Sequence, residues 1–124
     1  MALREIEFDP DGKPLSVEIN FPTQQSVAYT LTLYEASSNS VALRETGNNE
    51  NPEDDRYPLP TPPKANKNRI LQFDATFVDP GDSHPDCRAE AVVKQGAKAL
   101  GKLVVQGTIT ESSLSGTDFA RLTT

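Results

Sequence analysis

VAYTLTLYE, residues 27–35, is the stretch whose reading decides the fold. Val27, Tyr29, Leu31 and Leu33 fall on one side of an extended chain and Thr30 and Thr32 on the other. This period-two alternation marks a strand with one buried face, and its β-branched and aromatic residues suit a pleated surface. The same pattern recurs outward from it. In LSVEINF (15–21), Leu15, Val17, Ile19 and Phe21 oppose Ser16, Glu18 and Asn20; in ILQFDATFV (70–78), Leu71, Phe73, Ala75 and Phe77 oppose Gln72, Asp74 and Thr76. REIEF (4–8), VALRE (41–45) and KLVVQGTIT (102–110) are shorter strand candidates.

Turn chemistry punctuates these runs. DPDGKP (9–14) offers proline for a turn's second position and an Asp-Gly corner, which predicts a hairpin of REIEF with LSVEINF; SSNS (37–40) is a similar connector. CRAEAVVKQGAKALGKLVV (87–105) fits either a helix, with Val93, Ala97, Leu100 and Val104 at helical spacing, or strand-turn-strand, with Cys87, Ala89, Ala91 and Val93 on one face. Gly96 and Gly101 favour the second, because each interior glycine costs a helix ~1 kcal/mol whereas Gln-Gly suits a reversal. The tail SSLSGTDFARLTT, anchored only by Leu114, Phe119 and Leu122, reads as a last strand or a loose end. Turn signals every ~8 to 12 residues and about seven short strands predict one all-β domain over 1–124, an antiparallel β-sandwich with immunoglobulin-like or fibronectin-like architecture. No cysteine pair or core tryptophan marks a true immunoglobulin domain.

From Gly47 to Arg69 the chain reads GNNENPEDDRYPLPTPPKANKNR, with five prolines and only Tyr57, Leu59 and Ala65 to offer a core. Such a long polar, Pro-rich connection is either a mobile insertion or functional. In the functional reading it is a stiff polyproline II arm, with Tyr57, Leu59, Pro60 and Pro62 docking on this domain or on a protein partner. The likeness to ligands of proline-recognition domains is thin, because Arg56 is not spaced from Pro58, Pro60 and Pro63 as those grooves require.

Composition narrows the function classes. A net charge of −6 argues against phosphate-backbone binding, and therefore against nucleic acid as a partner. MALREIEF carries an arginine and two glutamates where a signal peptide needs an apolar run, and no segment has the ~20 apolar residues of a membrane span. A lone cysteine closes no intramolecular disulfide. These features predict a soluble protein without membrane insertion, and the missing leader and disulfide pair favour a cytoplasmic setting.

The reactive-looking residues sit in connectors. GAKALGKL (96–103) satisfies all but the last position of a phosphate-binding loop, where Leu103 replaces the hydroxyl that Mg²⁺ needs, and the chain continues as strand instead of opening a helix. DPGDSHPDC (79–87) holds the only histidine and the only cysteine. His84 and Cys87 are too few for a structural zinc, and three residues apart in a Pro-bearing loop they are not preorganised for nucleophilic catalysis. Cys87 reads instead as a small core residue opening the next strand. Calcium is the more serious cofactor candidate: Asp79, Asp82 and Asp86, joined by Asp9 and Asp11, offer the hard oxygens it takes, although Asp-Pro and Pro-Gly are also ordinary turn chemistry. Glu53, Asp54 and Asp55 read as solvated surface acids. Lys94, Lys98 and Lys102 with Arg88 form a basic edge, read as protection against sheet-to-sheet aggregation in preference to a docking patch for an acidic partner.

With no complete catalytic motif, the sequence predicts a non-enzymatic binding or assembly module that engages a protein partner, or a second copy, through its loops or a sheet edge. The alternative is a sandwich that holds calcium or a small ligand around Asp79, Asp82 and Asp86.

Overall fold

The alternating runs form strands because every second side chain has an apolar layer to enter. In the computed structural model, which describes residues 4–23, 26–49, 55–78, 86–110 and 112–124, nine strands form two packed sheets. They are β1 (Arg4–Glu7), β2 (Leu15–Asn20), β3 (Ser26–Tyr34), β4 (Val41–Asn48), β5 (Asp55–Pro58), β6 (Ile70–Val78), β7 (Asp86–Gln95), β8 (Lys98–Thr108) and β9 (Ser113–Thr123). One sheet runs β1-β9-β6-β3-β4 and is antiparallel except for the parallel β1–β9 pair; the other runs β5-β2-β7-β8 and is wholly antiparallel. No helix among the described residues is long and apolar enough to cross a membrane.

The core is the space between the sheets. Leu31 faces Phe73 across the β3–β6 ladder and Val17 faces Val93 across β2–β7, and all four side chains are buried. Phe73 and Phe77 are fully enclosed, each contributing roughly 2–3 kcal/mol by area removed from water. Residues 87–105 are strand-turn-strand, as the glycines indicated: Cys87, Ala89, Ala91 and Val93 are buried, and Gly96 turns the hairpin with φ of 60°, a left-handed value that favours glycine.

Two expectations change, the β1–β2 hairpin and the strand count, and the C-terminal run takes the first of its two readings. REIEF and LSVEINF do not form a hairpin: β1 and β2 belong to different sheets, and β1 instead lies parallel to β9, Ile6 beside Leu122. The DPDGKP turn carries the chain from one sheet to the other, held by the Gln95 side chain, which donates to Asp9 O at 2.7 Å and Lys13 O at 2.9 Å and accepts from Asp9 N–H at 3.0 Å. The C-terminal run is an interior strand, with Ala120 and Leu122 fully buried between β6 and β1. The strand count also rises, because β5 and β9 were not separately counted.

The Pro-rich connection is built into this domain over its described part. β4 runs on to Asn48, and β5 pairs antiparallel with β2, Tyr57 beside Val17. Leu59 N–H then donates to Leu15 O at 2.9 Å while the Leu59 side chain enters the core. A single 3-10 turn, Pro63–Asn66, buries Asn66, whose Nδ2 donates to Pro60 O at 2.9 Å and whose Oδ1 accepts from Arg69 at 3.1 Å. Arg69 in turn donates to both oxygens of Glu35, at 3.0 and 3.1 Å. A buried amide with its bonds met and a two-pronged ion pair hold this segment where composition alone predicted too little core.

Candidate functional site

Two open sheets present four edges, and an edge strand offers unpaired N–H and C=O groups to any extended chain. Three of these edges are blunted. β1 and β5 have four residues each, and β5 ends in Pro58, which lacks an N–H. β8 is long, but two outward groups at its middle, Lys102 O and Val104 N–H, are taken by side chains of the other sheet. Arg4 Nη1 donates to Lys102 O at 2.8 Å and to Asp118 Oδ2 at 3.1 Å, and the same Asp118 oxygen accepts from Val104 N–H at 2.9 Å.

β4 is the fourth edge. It has eight residues, and its Asn49 end fixes the phase of its ladder with β3: Asn49 N–H donates to Val27 O at 3.2 Å. Hydrogen-bonded and non-bonded pairs alternate along an antiparallel ladder, so Leu43, Glu45 and Gly47 bond inward to β3 while the N–H and C=O of Arg44 and Thr46 point outward. Among the described residues no side chain bonds those outward groups. Arg44 and Thr46 are exposed, and neither Arg44 nor Glu45 has an ion-pair partner among the described residues. Beside Thr46, on the sheet's outer surface, lies a polar cleft of about 500 Å³ that reaches Thr30, Asp74 and Thr76.

A phenol fixes this edge to the opposite sheet. Tyr29 projects inward from β3, donates to Asp55 Oδ2 of β5 at 2.5 Å, and shares a 2.5 Å hydrogen bond with Tyr57 Oη, for which Tyr57 is then the donor. Burial, then the hydrogen bonds to Asp55 and Tyr57, pushes the Tyr29 phenol far above its ordinary range. It stays protonated and serves as a strut, not a base. Gly47 of β4 lies directly over it: a Cβ there would stand 2.5 Å from Tyr29 Oη. The alternation in VAYTLTLYE indicated that Tyr29 points inward, and a buried phenol needs a partner; that the partner is Asp55, read as a solvated acid, was not legible.

Among the described residues, the others singled out in the sequence do not converge. Tyr57 packs against the core half-buried, Leu59 is within it, Pro60 is half-buried and Pro62 exposed. Asp79, Asp82 and His84, with Glu53 and Asp54, lie outside the described residues. Asp86 starts β7 and accepts from Thr108 Oγ1 at 3.0 Å. Asp9 and Asp11 are bound to the Gln95 end of the same ten-residue strand, and Asp9 Oδ1 is spent on Asp11 N–H at 3.0 Å. At ~3.3 Å per residue the two ends are about 30 Å apart, so Asp9 and Asp11 cannot join Asp86 around one cation. Among the described residues no group of three or more His, Cys, Asp or Glu side chains could hold a metal ion.

Cys87 is buried, its Sγ 3.5 Å from Gly107 O, and burial pushes its thiol up, the reverse of a nucleophile's need. The basic residues are mostly neutralised: Lys94 pairs with Glu18 at 2.8 Å, and Arg88 and Lys102 meet Glu90 at 2.6 and 3.4 Å. Burial resists ionisation of Glu90, but those two cations overcome it and draw its carboxyl below the usual range. Asp74, the one acid in the polar cleft, accepts from Gln72 Nε2 at 2.9 Å and from Thr117 Oγ1. Set against protein-family models, curated proteins and solved structures, the chain matches none.

Proposed function

We propose that this domain is a non-enzymatic binding or assembly module that receives an extended segment of another protein chain along β4. The observation that carries the reading is the contrast among edges: at the middle of β8, Lys102 O and Val104 N–H are occupied by Arg4 and Asp118, whereas the outward groups of Arg44 and Thr46 are unoccupied among the described residues. Main-chain pairing supplies affinity in this mode, and side chains on alternate sides supply selection. Two packed sheets with connectors at their ends support an immunoglobulin-like or fibronectin-like reading of the architecture, and a lone buried thiol suits a reducing compartment.

Amide hydrogen exchange tests it with short synthetic peptides of alternating Thr and Val. In the free protein the Arg44 and Thr46 amides exchange fast; with bound peptide they slow, and Thr46→Pro, which deletes an outward N–H without touching the β3 ladder, abolishes binding. Peptide binding that leaves both amides unprotected, or that survives Thr46→Pro, sinks the reading.

A further inference from the structure

We infer that the segment β4 receives belongs to a different protein and carries a carboxylate where it lies beside Arg44, with a cation at its next residue; this rests on the edge reading above. The argument is one of charge and register. Arg44 stands on the outer side of β4 and Glu45 on the core side, half-buried, and neither has an ion-pair partner among the described residues. An incoming strand places successive side chains on opposite sides of the sheet, so an acid followed or preceded by a base satisfies both charges at once.

A second copy of β4 does this poorly. From Leu43 onward, beyond the bulge opposite Leu33 and Tyr34, the outward-bonding residues are the even-numbered ones, Arg44 and Thr46 among them, so over this stretch two antiparallel β4 strands can bond only with even residues facing even residues. The register centred on Arg44 sets it opposite its own copy. The register centred on Glu45, which pairs Arg44 with Thr46, sets Glu45 opposite itself. Like charges directly opposite are destabilising in a ladder, and a sandwich of net charge −6 adds general repulsion between copies. Only shifted registers such as those centred on Leu43 or on Thr46 escape, each at the cost of leaving three residues at one end of β4 without partners.

The probes are Thr/Val peptides with one central Glu or one central Lys, measured by fluorescence anisotropy. The Glu peptide binds the native protein about fivefold more tightly than the Lys peptide. Arg44→Glu inverts that order, and Thr46→Pro abolishes both interactions. Equal affinities that Thr46→Pro still abolishes overturn the charge inference and leave the edge reading standing. Binding indifferent to Thr46→Pro, or none by either peptide, overturns both. Sedimentation of the native protein covers the remaining case: a dimer that Thr46→Pro dissolves identifies a second copy as the occupant and overturns the assignment to a different protein.

Discussion

The two long edges of this sandwich, β8 and β4, differ in what faces them. β8 runs beside β9, close enough for Asp118 to reach Val104 N–H and for Arg4 to reach Lys102 O, so one acid and one base cover its middle. β4 runs along the other side, and there the inter-sheet link is made from within, by Tyr29 of β3 to the four-residue β5. The internal strut leaves the outward backbone groups of Arg44 and Thr46 free among the described residues. An edge is therefore closed or open according to whether the tie between sheets passes outside the ladder or through the core.

The largest effect expected from disturbing this contrast follows Asp118→Ala. It strands Val104 N–H, removes the partner of Arg4, and costs about 2–3 kcal/mol in urea unfolding. It also opens β8, so sedimentation at rising concentration shows new association; a stability loss below about 0.5 kcal/mol means that solvent already serves this edge. Gly47→Ala comes next, at about 1–3 kcal/mol, since its Cβ displaces the Tyr29 hydroxyl. The cost falls in a Tyr29→Phe background if the two act through one contact.

Tyr29→Phe alone costs about 1–2 kcal/mol. Its pH dependence has a definite sign. The folded phenol titrates above the unfolded value of about 10, so its contribution is complete below that pH and is lost as pH rises past it. Denaturation at alkaline pH becomes less steep in the Phe variant, and an unchanged slope removes the strut from the argument. Thr46→Pro costs under about 1 kcal/mol, because its N–H points away from β3. A cost like that of Asp118→Ala would mean the β4 edge is covered after all. Smallest is the effect of calcium: millimolar concentrations leave the melting temperature unchanged, and a rise would revive the carboxylate cluster of Asp79, Asp82 and Asp86.

The strands were legible in the sequence because burial on one side writes itself into every second residue: Val17, Leu31 and Phe73 declare their side without knowledge of their neighbours. Edge identity is not local in that sense. Arg4 and Asp118 are separated by nearly the whole chain, and nothing in REIEF or GTDFARL signals that they meet over β8. The β1–β2 hairpin was misread for a related reason, since Asp-Pro-Asp-Gly specifies a turn and not whether its arms pair. In the Pro-rich connection composition argued against order, yet Leu59, Asn66 and Arg69 supply a few well-placed anchors that composition averages away. For the candidate site, Arg44 and Thr46 were legible only as part of a strand; their outward phase required the Asn49–Val27 bond.

The parallel seating of β1 against β9 joins residues 4–7 to residues 120–123. A chain emerging from a ribosome therefore cannot finish its larger sheet until residues 120–123 have been made. Until then β6 waits with a bare flank, and the arginine that will guard β8 has no acid to grip. Assembly of this sheet consequently waits on β9, with the greatest exposure to stray association falling in the interval before that strand emerges.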